Sequence, residues 1–237
     1  MAAKTPNRDA LGLPDNIVAC LFDLDGVVTQ TAKVHAQAWK ETFESALHVP
    51  FDAVKDYDEY VDGKPREEGV RSFLQGKGIA EDPKLVAEIA ERKDARFRQL
   101  IHEHGVETYP GTLRYIDAAR TIGKKLAIVS SSRHTTEVLH AAHLDHTFDA
   151  QVDGNVAASE HLQGKPAPDT YVHAARMLGA QPPDAAVYED ALAGVEAGRN
   201  GGFGRVIGLD RAGQREALLK HGADVVVDDL SELLDGK

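Results

Sequence analysis

The chain contains a single cysteine, Cys20, so no disulfide can form within it. Its neighbours Ile17, Val18, Ala19 and Leu21 are apolar, which makes it a buried structural thiol. Cationic side chains are also scarce. Lys and Arg number 27 against 38 Asp and Glu, a formal net charge of −11. That sign disfavours nucleic acid as a partner, although a few local cations can still hold a small phosphorylated substrate. No apolar run approaches the ~20 residues of a membrane span. Residues 1–16 are polar, are broken by Pro6, Gly12 and Pro14, and lack the apolar centre of a signal peptide; they read as a loose tail. Gly201-Gly202-Phe203-Gly204 lacks the order of a nucleotide-binding loop and precedes a strand, so it is a turn. No internal repeat or low-complexity tract is present. These absences fit a cytoplasmic protein with neither membrane nor nucleic acid as partner, built as one large domain or a core with an insertion.

What is present is organised around Leu21-Phe22-Asp23-Leu24-Asp25-Gly26. An apolar run of strand length leads into two carboxylates, and Gly26 then lets the chain turn away. If strand geometry persists through Asp25, period two sends both acids to one side. Two acids held together repel unless a cation neutralises them, and the hard, oxygen-seeking choice is Mg²⁺. After this stretch the period becomes helical. Val34, Ala38, Trp39, Phe43, Ala46 and Leu47 form an apolar stripe, with Thr31 placed as N-cap. Residues 51–60 are acidic and ambiguous. Asp62-Gly63-Lys64-Pro65 reads as a loop, residues 66–75 as a short helix, and Pro83 to Gly105 as a long amphipathic one. Residues 32–104 therefore read as all-helical. From Tyr109 onward helices alternate with strands at 125–130, 148–152, 185–189, 205–208 and 224–227. That alternation predicts a doubly wound, Rossmann-like parallel α/β sheet with the helical segment inserted. The expected core is 17–31 with 105–237, and the expected cap is 32–104. Ligands bind such sheets at the strands' carboxyl ends.

Polar clusters fall at those ends, and each has an ordinary reading beside a functional one. Ser130-Ser131-Ser132-Arg133-His134 can cap a helix or hold an anion. Lys165, in Lys165-Pro166-Ala167-Pro168-Asp169, is a surface cation or a charge for an attacking carboxylate and a phosphate. Glu189-Asp190 is either an acidic helix start or a metal site. In the helical segment, His35 and Trp39 share a face. Arg66 is a solvated cation or a bidentate anion clamp. His140, His143, Asp145 and His146 lack a closed ligand set for a transition metal.

Taken in order, the motifs resemble those of the haloacid dehalogenase (HAD) superfamily. The chain is similar to its helical-cap subgroup, and within that to the β-phosphoglucomutases. The resemblance runs through Asp23-Leu24-Asp25-Gly26-Val27-Val28, Ser130, Lys165-Pro166-Ala167-Pro168-Asp169 and Glu189-Asp190-Ala191-Leu192-Ala193-Gly194. Thr31-Ala32-Lys33-Val34-His35-Ala36-Gln37-Ala38-Trp39 and Gly63-Lys64-Pro65-Arg66 carry the mutase likeness. It implies Asp23 as nucleophile and Asp25 as general acid/base. It implies Mg²⁺ on Asp23, Asp190 and the Asp25 carbonyl, with Glu189 assisting. Ser130, Ser131 and Lys165 would bind the transferring phosphate. Thr31, His35, Trp39, Gly63, Lys64, Arg66, Ser132, Arg133 and His134 would serve the sugar phosphate and the cap. The implied activity is exchange of β-glucose 1-phosphate and glucose 6-phosphate through glucose 1,6-bisphosphate, in a monomer. A sugar-phosphate phosphatase is the alternative. Two departures stand out: Ala191 where Ser is usual, and Asp62 where the mutase loop carries Lys.

Overall fold

The structure, a computed structural model, describes residues 11–62 and 64–234; Gly63 and the tail up to residue 10 lie outside the described residues. Strand β1 (Ala19–Phe22) shows how the sheet is covered. Its side chains alternate, yet all four are buried. Cys20 and Phe22 join one apolar cluster with Tyr115, Ile116, Val138 and Leu230, while Ala19 and Leu21 join another with Tyr171, Ala174, Val195 and Leu218. Helices therefore lie on both faces, the arrangement a parallel sheet requires. The other strands are β2 (Lys125–Val129), β3 (Ala150–Val152), β4 (Ala185–Glu189), β5 (Arg205–Leu209) and β6 (Val225–Val227). All pairings are parallel, in the order β3-β2-β1-β4-β5-β6. The order reverses between β1 and β4, so their carboxyl ends flank a crevice.

Helices α1 (Ala32–Leu47), α2 (Arg66–Gly76) and α3 (Pro83–His104) form the inserted helical cap. It has its own cluster, in which Phe43 lies between Trp39 at 5.0 Å and Phe73 at 4.0 Å. Asp82 caps α3 through Lys84 N, and Gly105, at φ 72°, ends it. The ambiguous acidic stretch becomes a π-helical turn, Tyr57–Val61. The two chain passages between cap and core pair with each other, Gln30 N donating to Glu107 O and Tyr109 N to Val28 O. The core continues through α4 (Pro110–Thr121), α5 (Thr135–Ala141), α6 (Gly154–Ser159), α7 (Asp169–Met177), α8 (Leu192–Asn200) and α9 (Arg215–His221).

Three expectations are corrected. Residues 11–16 are not loose: Leu11 is buried, and its carbonyl accepts the Tyr115 hydroxyl at 2.8 Å. Thr31 occupies the N-cap position of α1 but does not cap it, because its hydroxyl is bonded to Asp25 and Thr29. Strand β1 stops at Phe22, and the chain turns through Leu24, whose carbonyl accepts both Val28 N and Thr29 N at 2.9 Å.

Candidate active site

Asp23 and Asp25 both line one cavity, but the early turn gives them different partners. Asp23 N still bonds the neighbouring strand, at Tyr188 O, so its side chain leaves at the end of β1 beside β4. There Lys165 reaches in, its Nζ 2.5 Å from Asp23 and 2.6 Å from Glu189. Lys165 is buried, which works against its charge, but the two carboxylates win and hold its pKa above the usual lysine value. Burial raises Asp23, with Lys165 pulling the other way. Glu189 is fully engaged. It accepts Lys165 and the Tyr171 hydroxyl on Oε1, and the amides of Asp190 and Ala191 on Oε2. A Cβ on Gly194 would lie 1.7 Å from Glu189 Oε1, so the glycine makes room for this carboxylate.

Asp190 differs from its neighbour, because no hydrogen-bond donor among the described residues reaches its carboxylate. Burial and the nearby Asp62 push its pKa well up. It packs on Gly26, where a Cβ would lie 1.7 Å from Oδ2 and where φ is +86°. Asp23, Glu189 and Asp190 bring one oxygen each within 4.8 Å of one another. An undonated carboxylate beside a second one, all oxygen donors, fits Mg²⁺. Since Glu189 already accepts four protein contacts, Asp23 and Asp190 are the pair with capacity left for an ion. The Asp25 carboxylate lies outside this trio.

Asp25 turns toward the cap. Its Oδ1 accepts the Thr31 hydroxyl and lies 3.5 Å from His35 Nε2. His35 stacks on Phe97 at 3.9 Å, and its Nδ1 is 2.6 Å from Lys93 Nζ. Lys93 is buried over the Trp39 and Phe97 rings, and that burial, aided by Arg66, lowers its pKa to about 7. A charged Lys93 can only donate to Nδ1, which places the imidazole proton on Nε2, facing Asp25. Burial of Asp25 opposes its charge, yet His35 and Thr31 together lower its pKa. The ligand-free site therefore holds Asp25 as a carboxylate.

On the core side of the same cavity, Ser130 and Ser132 close successive turns by accepting Ser132 N and His134 N, each at 3.1 Å. Neither caps α5, whose N-cap is His134. The Ser130 Oγ accepts, so its proton remains to donate. The cavity measures about 870 Å³ and also takes in Ser131, Arg133, Trp39, Lys64 and Arg66. Arg66 pairs with Asp94, and Asp94 meets His134 Nε2 at 2.6 Å. Lys64 is turned onto Ser72 Oγ at 2.9 Å and Glu59 O at 3.2 Å, so its ammonium is already taken up by the cap. Asp62 is bonded by Tyr57; burial and Glu189 raise its pKa to about 7. The structure thus gathers the described candidates around one cavity except Thr31, which lies behind it and reaches it through its bond to Asp25; Gly63 falls outside the described residues.

Lys93, Asp94 and Tyr57 are additional residues of the site. A signal for Lys93 was present: it follows Val86, Ile89 and Ala90 on the buried stripe of α3, where an unpaired lysine is out of place. Asp94 and Tyr57 carry no comparable signal.

The haloacid dehalogenase-like hydrolase family pattern matches residues 17–202. A β-phosphoglucomutase of Mycobacterium bovis is 46% identical, with 94% of each chain covered. The crystal structure of a β-phosphoglucomutase from Clostridium difficile superposes with a TM-score of 0.79 at 26% identity, covering 92% of this chain and 93% of that one. A CbbY protein from Rhodobacter sphaeroides, solved with xylulose-(1,5)bisphosphate, gives 0.76 at 29% identity, covering 93% and 98%.

Proposed function

The chain belongs to the haloacid dehalogenase-like hydrolase family, and from that premise we propose that it is a β-phosphoglucomutase. The observation that carries this reading is the His35–Asp25 contact, which takes the proposed acid/base from the core and completes it with a residue of the cap. A site assembled only under a closed cap can favour a bound sugar hydroxyl over water.

In this reading Asp23 attacks the phosphorus, the bond to the sugar oxygen breaks, and Asp23 carries the phosphoryl group. Lys165 already sits against Asp23 and offsets the negative charge that converges on it. Ser130 donates its free hydroxyl proton to a phosphoryl oxygen. In the protonated enzyme Asp25 gives a proton to the leaving oxygen. As a carboxylate it takes one from the incoming hydroxyl, with His35 and Lys93 holding it in place. Mg²⁺, when held by Asp23 and Asp190, would supply further charge stabilisation at the phosphoryl group. Arg66 and Arg133 supply fixed positive charge at the far wall for the second phosphate of glucose 1,6-bisphosphate.

The test is to supply Mg²⁺, β-glucose 1-phosphate and a trace of glucose 1,6-bisphosphate, and to follow glucose 6-phosphate and free phosphate together. Glucose 6-phosphate with little free phosphate is expected. Free phosphate without isomerisation would establish the second reading, a sugar-phosphate phosphatase. Asp62 favours that one, because it places a carboxylic acid where a mutase cap carries a cation.

A further inference from the structure

We infer that Asp94 is a positioning residue: by docking on His134 it seats the cap on the core and thereby sets His35 against Asp25. Among the described residues, two histidine–aspartate contacts cross from cap to core, His35–Asp25 at the phosphoryl end and Asp94–His134 at the far wall. Both trace to adjacent residues of α3. Lys93 carries His35, and Asp94, about 100° further round the helix, faces the core loop after β2. A helix does not let neighbouring residues move independently, so fixing Asp94 fixes Lys93.

The junction is built to hold. One Asp94 oxygen receives both His134 Nε2 at 2.6 Å and the Arg66 guanidinium, and the other lies 3.5 Å from Arg98 Nε. Asp94 and His134 are each only 15% exposed. Burial opposes the Asp94 charge, but His134 and Arg66 hold its pKa below the usual range. The His134 backbone is itself pinned through Ser132 Oγ. Hydrogen bonds to a charged group contribute about 1.5–3 kcal/mol, so losing this one should shift the closed-to-open ratio roughly 10–100-fold.

The consequence for turnover rests on the mutase reading; the docking does not. The test uses the full chain without ligand, labelled with a donor and an acceptor dye at K55C and E216C, while the buried Cys20 stays unlabelled. Wild type should give one high-transfer state. D94A should move toward low transfer, D94N should recover part of the loss, and H134A, which leaves α3 untouched, should match D94A. In turnover D94A should release roughly tenfold more phosphate per glucose 6-phosphate, with the pH profile of its kcat displaced as His35 leaves Asp25. Unchanged dye transfer in D94A or in H134A would overturn the proposal. A wild type that makes no glucose 6-phosphate would instead remove the mutase reading and leave the docking result standing.

Discussion

The two ends of the cavity are built differently. At the phosphoryl end Asp23, Ser130, Glu189 and Asp190 sit at or just beyond the ends of parallel strands, and the sheet registers fix them. The groups the cap contributes, Arg66, Lys93 and Asp94, stand on its helices; Asp94 meets the core directly at His134, and Lys93 meets it through His35, which lies against Asp25. Strand ends supply chemistry that does not depend on domain position. Helices of the cap supply groups that act only in one position. We therefore assign phosphoryl transfer to the first set and the choice between sugar and water to the second.

Substitutions at the two ends should then behave differently. D23N should abolish isomerisation and phosphate release alike, by ~10⁴-fold or more, as followed by both products and by loss of the phosphoenzyme. R66A should leave phosphoenzyme formation from a small phosphate donor intact and lower kcat/KM for isomerisation roughly 10–100-fold, since it removes a charged contact to the second phosphate. K93M should act through pH. Lys93, with its pKa lowered to about 7, is charged below that value and neutral above it. Isomerisation should therefore fall as the pH rises through about 7. K93M should flatten that limb and run about tenfold slower on the acidic side. A191S is the smallest change. Ala191 stands at the N-cap of α8 without a side-chain cap. A serine there should add about 0.5–1 kcal/mol, read as a rise of a few degrees in Tm.

How far the sequence anticipates each end follows the same division. The strands, their order of appearance and the residues at their ends are legible because apolar runs of strand length lead directly into Asp23, Ser130 and Asp190. The acids' partners are legible less fully. Asp23 and Asp25 face one cavity, as continued strand geometry would place them, but they do so through the turn at Leu24, which gives Asp25 His35 and Thr31 as partners. The cap is harder still. Helical period marks α1 and α3, but nothing local tells which residue of one helix meets which of the next. Lys93 against His35 is a pairing across 58 positions, and Asp94 against His134 one across 40. Helix α6 is not legible in the sequence because its six residues bury no side chain and carry no apolar stripe; Asp153 starts it by accepting Asn155 N and Val156 N. Short, polar and capped from outside, it offers the sequence only its cap.

The central claim is that the cap, through His35, makes the phosphorylated enzyme wait for a sugar. It is tested most directly by preparing phosphorylated enzyme, removing excess donor, and timing loss of the phosphoryl group with and without β-glucose 1-phosphate. The account predicts slow loss in buffer and loss faster by roughly 100-fold or more when the sugar phosphate is added, with the label recovered in glucose 1,6-bisphosphate and glucose 6-phosphate. Equal rates, with the label recovered as free phosphate in both, would contradict it.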